Sequence, residues 1–148
     1  MVWNKHRETM SPDETQALQS AQLVQLVQKV YQSVPFYKSR MDDLGVTPED
    51  IKSIADIRQL PFTTKDDMRE TYPLGLLSVD QSEIVEVHTS SGTTGKPVVD
   101  AYTIDDIDLW SEVMARTLGM GNITSKDTVQ NAFGYGLFTG GLGVHYGS

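Results

Sequence analysis

The sequence predicts an α/β fold in which a mainly helical segment, residues 1–75, precedes an α/β portion, residues 76–148. Helix-start signals recur in the first part, whereas β-branched residues dominate two short runs, 84–89 and 98–102, in the second. A segment with helical spacing of apolar residues follows these runs, and a further candidate strand follows that segment. Strands that alternate with a helix are typical of an α/β layer.

The first long helix begins with a capping box. Ser11 is the predicted N-cap, Pro12 is the first helical residue, and Glu14 lies where its side chain can reach back to the cap. Apolar residues then recur at spacings of four, three and four on one face: Leu23, Val27, Val30 and Val34. Pro35 should end this helix, because proline cannot continue the hydrogen-bond ladder.

The remaining elements are predicted from similar local signals. Residues 47–50 and 64–67 resemble helix starts, with acidic residues in the first turn. After the two predicted strands, Thr103 is placed to cap an amphipathic helix. Residues 127–133 are the next predicted strand, and a glycine-rich turn leads from there into a helix from about residue 139.

A glycine- and hydroxyl-rich loop, residues 88–99, joins the two predicted strands. Gly92 and Gly95 allow close backbone approach, so amide and hydroxyl donors can surround an anion, and Lys96 adds a positive charge. The stretch is not a Walker A loop, which needs another glycine five residues before the Gly-Lys pair and a hydroxyl residue after it. A hairpin turn is the alternative reading of the loop, and a solvated lysine is the alternative for Lys96.

Residues 90–97, Ser-Ser-Gly-Thr-Thr-Gly-Lys-Pro, resemble the phosphate loop of the adenylate-forming superfamily, whose members activate carboxylic acids with ATP. Three further stretches are similar to phenylacetate-CoA ligases within that superfamily: residues 34–37, 60–67 and 131–143. The resemblance extends from about residue 20 to the end, and the last stretch is its specific part. It implies that the chain holds part of the large N-terminal domain of an adenylate-forming enzyme.

The resemblance also implies a reaction. The carboxylate of phenylacetate, or of a related aryl acid, attacks the α-phosphate of ATP, and the thiol of coenzyme A then attacks the acyl-adenylate; ATP, Mg²⁺ and coenzyme A are the expected cofactors. Such transfers depend on positioning and charge neutralisation, so no residue is assigned as a catalytic nucleophile. The residues that the resemblance places on the β- and γ-phosphates are Ser90, Ser91, Gly92, Thr93, Thr94, Gly95 and Lys96.

The stretch 133–141 combines aromatic rings with glycines that let the backbone approach a flat ligand. The resemblance places an aryl-binding wall there, and the substrate-binding candidates are Tyr135, Phe138, Gly140 and Gly141. Core packing is the alternative for the two rings. His145 is either an orienting group near the substrate or a structural imidazole, while His6 and His88 are expected at the surface or in packing. No spacing of residues predicts a metal site.

Composition limits the classes of molecule that the protein is expected to bind. The formal net charge of −8 disfavours binding to nucleic acid. The absence of cysteine removes disulfides and thiolate zinc sites, and no apolar run approaches the roughly 20 residues of a membrane span. The expected partners are therefore the aryl acid, ATP and coenzyme A, with no nucleic acid and no membrane, in the cytoplasm. A homo-oligomer is left open.

Enzymes of this family are several times longer, and their segments for adenine, ribose and Mg²⁺ come later in the chain. The chain is therefore expected to be an N-terminal piece of an aryl-CoA ligase, inactive by itself. Two alternatives remain at this point. One is an adenylate-forming ligase for a different acid, and the other is a non-catalytic phosphate-binding or interaction module that is complete at Ser148.

Overall fold

The computed structural model describes residues 2–90, 96–137 and 139–148. The chain divides into two compact units. The helical unit is Met10–Gln81, and the mixed unit consists of Met1–Thr9 together with Ser82–Ser148. The domain boundary placed after residue 75 stays a prediction. Among the described helices, none has the length and apolar character needed to span a membrane.

The helices follow each other in the order α1 (Lys5–Glu8), α2 (Pro12–Ser33), α3 (Pro35–Leu44), α4 (Lys65–Glu70), α5 (Ile104–Met120) and α6 (Thr139–Gly147). The strands β1 (Glu86–Thr89) and β2 (Val99–Tyr102) lie between α4 and α5. Short 3₁₀ helices span Pro48–Asp50, Ile54–Gln59 and Gln81–Glu83. The helix starts predicted at Ser11, Thr64 and Thr103 are confirmed, whereas the one predicted at Thr47 opens only a single 3₁₀ turn.

Helix α2 begins and ends as its local sequence dictates. The backbone N–H of Ser11 donates to the Glu14 carboxylate at 2.8 Å, and the Ser11 hydroxyl accepts from the backbone N–H of Glu14 at 3.3 Å. At the other end Val34 is extended, with φ −120° and ψ 102°, because a residue before proline is excluded from the helical region. Val34 therefore closes α2, and Pro35 begins α3.

The core of the helical unit lies between α2, α3 and the 3₁₀ segments. Its buried members are Leu23, Val27, Met41 and Ile51, and Tyr31, Val46, Ile54 and Leu60 pack against them. The apolar face predicted for α2 is thus mostly confirmed, with Val30 only half-buried. The Ser20 hydroxyl accepts from the backbone N–H of Ile54 at 3.1 Å, which fastens the second 3₁₀ helix to α2.

The helical unit has carboxylates at helix starts and in ion pairs, and we expect it to lose stability in acid because they become protonated there. Hydrogen bonds lower the pKa of four carboxyl groups in the helical unit: Asp42, Asp50, Asp56 and Asp67. For Asp67 the Thr64 hydroxyl and backbone N–H are the main causes, and Arg40 adds to them. Because the lowered pKa favours the charged form in the folded state, this stabilisation is complete above the unfolded pKa of about 3.9 and is lost below it.

We therefore expect the thermal midpoint of the helical unit to stay constant between about pH 7 and 5 and to fall steeply below pH 4. Circular dichroism melts at half-unit pH steps measure this. The variant Asp67→Asn should show a shallower fall than the parent chain, because one of the four titrating groups is gone. A midpoint that is flat from pH 5 to pH 3 would contradict the prediction.

In the mixed unit, β1 and β2 form an antiparallel hairpin with Glu86 opposite Tyr102 and Thr89 opposite Val99. The strands predicted on either side of the loop are confirmed, each slightly shorter than predicted. The strand predicted at 127–133 is wrong, because this stretch forms no strand. Asp127 instead closes a turn by accepting from the Thr124 N–H at 2.8 Å, and β1 forms its outer backbone bond with Leu137.

Helices α5 and α6 pack closely because glycines face α5 from α6. A Cβ added at Gly143 would lie 2.6 Å from the Trp110 ring, and one at Gly147 would lie 2.4 Å from the Met114 Cβ. Only hydrogen can occupy these positions without displacing a neighbour. The Trp110 indole of α5 therefore lies directly over the α6 backbone.

A short N-terminal segment, residues 2–8, is held to α5 by one side chain. The Glu112 carboxylate accepts from the Trp3 indole N–H at 2.9 Å and from the Asn4 side-chain amide at 2.8 Å. We expect Glu112→Ala to destabilise this attachment by about 1 kcal/mol and to speed hydrogen exchange in residues 2–8 about fivefold. Exchange mass spectrometry checks this, with Glu112→Gln as the control that retains one acceptor. Unchanged exchange in the alanine variant would contradict it.

Candidate functional site

The described base of the predicted phosphate loop is closed by Ser90. Its backbone N–H donates to the Val98 carbonyl at 2.9 Å, and its hydroxyl oxygen accepts from the Val98 N–H at 2.9 Å. These two bonds extend the hairpin by one step beyond β1 and β2. The Ser90 hydroxyl is therefore fixed at the entrance of the loop and keeps its own proton to donate.

The other predicted phosphate contacts are only partly visible. Lys96 is exposed where the described chain resumes before β2. The remaining residues predicted to hold the phosphates lie outside the described residues: Ser91, Gly92, Thr93, Thr94 and Gly95. The structure therefore defines the two ends of the loop. Ser90 and Val98 bind each other there, directly beyond β1 and β2.

Tyr135, a predicted substrate contact, has an accessible ring. It is 56% exposed among the described residues. Its hydroxyl lies 3.2 Å from His145 Nδ1, and the two rings meet edge to face with their centroids 5.5 Å apart. His145 is also exposed. Phe138, the other predicted aromatic contact, lies outside the described residues.

The two glycines predicted at this site lie in the first turn of α6. Gly140 is half-buried, and Gly141 is buried against Gly134, whose carbonyl oxygen would be 3.0 Å from a Cβ added at Gly141. The Asn131 side-chain amide donates to the Gly141 carbonyl at 2.6 Å and lies 3.4 Å from the Tyr135 hydroxyl. Asn131 therefore joins the irregular segment to α6, a role that its local sequence does not reveal.

His88 is buried at the centre of the mixed unit, with 1% of its surface exposed. Its Nδ1 lies 3.1 Å from the Leu137 carbonyl oxygen, and its Nε2 contacts the Glu86 carboxylate. The sequence places His88 only at the surface or in packing. The structure shows a packing position in which both ring nitrogens have polar partners.

Aromatic rings surround His88. Tyr102 and Trp110 each meet it edge to face, at centroid distances of 5.4 and 5.6 Å, and stack on each other at 5.5 Å. Tyr146 donates its hydroxyl to the second oxygen of Glu86 at 2.6 Å. That hydrogen bond, together with burial, raises the pKa of Tyr146, so its hydroxyl stays protonated as a donor at neutral pH.

Among the described residues, no group of three or more histidine, aspartate or glutamate side chains is arranged to hold a metal ion. In the helical unit, the stretch 60–67 lines a cleft of about 650 Å³ beside the ion pair between Arg40 and Asp67, whose atoms are 2.5 Å apart. None of the predicted site residues lines this cleft.

Several known proteins that are similar to this chain in sequence carry the same name. No protein-family model matches the chain. The chain is 47% identical over 141 residues to the phenylacetate-coenzyme A ligase of Escherichia coli strain K12, a match that covers 95% of this chain and 32% of that protein. The ligase of the same name from Aromatoleum evansii is 48% identical over 141 residues, with coverages of 95% and 32%. That of Thermus thermophilus is 44% identical over 148 residues, with coverages of 100% and 33%.

Solved structures give the same result for the fold. A 2-hydroxyisobutyryl-CoA ligase, in complex with 2-HIB-AMP and CoA in the thioesterification state, matches with a TM-score of 0.89 and 30% identity over 99% of this chain and 32% of that one. An open conformation of it, also with 2-HIB-AMP and CoA, matches with a TM-score of 0.88 and 29% identity over 99% and 35%. The predicted fold class is confirmed, and the chain spans about a third of the length of the relatives that it matches.

Proposed function

Because this chain belongs to the family of phenylacetate-coenzyme A ligases, we propose that it forms part of an enzyme that joins phenylacetate, or a related aryl acid, to coenzyme A. The observation that carries the proposal is the high identity to three such ligases along nearly the whole of this chain. The solved 2-hydroxyisobutyryl-CoA ligase is less similar in sequence, which favours the aryl acid over a short hydroxy acid. The proposal includes a role in phenylacetate catabolism in the cytoplasm, where ATP and coenzyme A are available.

The reaction has two balanced steps. A carboxylate oxygen attacks the α-phosphorus of ATP and pyrophosphate leaves, which gives the acyl-adenylate. The sulfur of coenzyme A then attacks the acyl carbon, AMP leaves, and the thiol proton passes to solvent. Neither step needs a protein nucleophile, so the contribution of the protein is to position the groups and to stabilise negative charge.

The hairpin loop is the proposed ATP phosphate site. Ser90 is held at its entrance by two bonds to Val98, and Lys96 stands exposed at its exit. Backbone amides and hydroxyls of residues 91–95 would supply further donors, as a glycine-rich turn allows. Mg²⁺, when bound, neutralises phosphate charge.

The segment that follows is the proposed acid site. The Tyr135 ring is accessible and its hydroxyl is oriented by His145, so it can present a flat face to an aryl group. Gly140 would bring the α6 backbone close to the ligand, and Phe138 would supply a second ring. Gly141 lies against Gly134, so its role at the acid site would be to support the turn that carries Gly140. These assignments rest on the family pattern together with the exposure of Tyr135.

A chimeric enzyme tests the proposal. The homologous third of the Escherichia coli phenylacetate-coenzyme A ligase is replaced by this chain, and the product is incubated with phenylacetate, ATP, Mg²⁺ and coenzyme A. We expect phenylacetyl-CoA and AMP in equal amounts, with less thioester from benzoate and little from 2-hydroxyisobutyrate. A chimera that melts like the parent ligase but releases no AMP with any of these acids would overturn the proposal. Preference for another acid would overturn the aryl assignment alone.

A further inference from the structure

We propose that His88 is a positioning residue that fixes the phosphate loop relative to the acid-binding segment, by binding the backbone carbonyl of Leu137. This inference rests on the function proposed above. Nothing in the resemblance or in the named relatives assigns a role to this histidine. Its hydrogen-bond partners come from β1 and from the segment before α6. Helix α6 acts on it indirectly, through the bond from Tyr146 to Glu86.

The Leu137 carbonyl is held twice. It accepts from the Thr89 backbone N–H at 2.8 Å and lies 3.1 Å from His88 Nδ1. Since a carbonyl oxygen can only accept, Nδ1 must carry a proton and donate. Two donors from consecutive residues of one strand fix both the position and the direction of this carbonyl, which a single bond would leave free to tilt.

The imidazole cannot turn away from this contact. Its Nε2 is engaged by Glu86, and Tyr146 holds the other oxygen of that carboxylate at 2.6 Å. Tyr102 and Trp110 meet the ring edge to face. An apolar side chain could fill this volume without buried polar atoms that need partners. The polar ring is therefore explained by the bonds that it makes rather than by volume alone.

The clamp formed by His88, Thr89 and Leu137 lies at the start of the proposed phosphate loop and within the proposed acid-binding segment, between Tyr135 and Phe138. Ser90 follows Thr89 directly, and Phe138 follows Leu137 directly. In the proposed first step, the acid carboxylate must meet the α-phosphorus of ATP, and a misplacement of about 1 Å can reduce such a reaction about 100-fold. A bond that joins the two segments next to their ligand-binding residues controls that distance.

Two variants separate this bond from simple packing. Asparagine at this position carries its side-chain nitrogen where His88 has Nδ1, so His88→Asn can still donate to Leu137. Glutamine carries its nitrogen near the position of Nε2, so His88→Gln can reach Glu86 but not Leu137. The control variant Tyr146→Phe removes the hydroxyl that holds Glu86 and leaves the bond to Leu137 in place.

Hydrogen exchange of this chain is the first measurement. In His88→Gln we expect exchange of the Thr89 amide and of the segment 131–137 to be about tenfold faster, because the loss of one bond to the shared carbonyl frees it. In His88→Asn and Tyr146→Phe we expect less than a threefold change. Equal acceleration in the asparagine and glutamine variants would show that only the imidazole volume matters and would overturn the proposal.

Steady-state kinetics of the chimeric ligase are the second measurement. We expect His88→Gln to lower kcat by roughly 10- to 100-fold with KM for ATP and phenylacetate changed less than threefold, and His88→Asn to restore most of the loss. An inactive chimera contradicts the proposed function. An active chimera in which His88→Gln leaves kcat unchanged, or in which asparagine and glutamine variants are equally impaired, contradicts the positioning role instead.

Discussion

Replacing Gly143 with valine is expected to destabilise the mixed unit by about 2 kcal/mol. The Cβ of the new side chain would lie 2.6 Å from Trp110, well inside van der Waals contact. The indole cannot move aside cheaply, because it stacks on Tyr102 and meets His88 and Tyr146 edge to face. Valine has a higher helix propensity than glycine, but this offsets only a few tenths of a kcal/mol of that destabilisation.

The measurement is a thermal melt followed by tryptophan fluorescence, in which Trp110 reports on the packing between α5 and α6. A loss of about 2 kcal/mol corresponds to a midpoint roughly 4 to 8 °C lower for a chain of this size. Gly136→Val is the matched control, since nothing lies within 4 Å of a Cβ added there. Equal melting of the two variants would mean that the helices can separate without cost at Gly143.

The features that sequence predicts well are those that depend on near neighbours. The capping box at Ser11, the end of α2 before Pro35 and the hairpin around the loop follow from residues within a few positions of each other. The Gly-Ser-Thr composition of the loop and its two β-branched flanks were sufficient to place it between strands. These elements carry the frame of the proposed phosphate site.

The features that sequence missed depend on distant partners. Residues 127–133 have strand-like composition, but a strand needs a neighbour, and β1 bonds to Leu137 instead. His88 meets a carbonyl 49 positions away, and Glu86 meets a hydroxyl 60 positions away. No local pattern specifies such pairs, so a buried histidine with both nitrogens bonded is indistinguishable in sequence from an ordinary one.

Three variants of the chimeric ligase should separate residues that bind the ATP phosphates from residues that bind the acid. We expect Gly92→Val to lower turnover roughly 100-fold for every acid, because a β-branched side chain would crowd the proposed phosphate loop, whose amides would face the phosphates. We expect Tyr135→Ala or Phe138→Ala to weaken the binding of aryl acids by about 1 kcal/mol, or near fivefold. The binding of short aliphatic acids should stay almost unchanged. The two sites differ because ATP is common to all reactions and the ring is not.

The conservative variant Tyr135→Phe separates the role of the Tyr135 ring from that of its hydroxyl. It keeps the ring and removes the hydroxyl that lies 3.2 Å from His145, so aryl preference should survive in it if the ring face is the contact. The kcat/KM ratio of phenylacetate to butyrate measures that preference. If Tyr135→Ala loses activity equally toward both acids while the protein stays folded, the exposed ring serves the fold through His145. The aryl preference must then come from residues other than Tyr135.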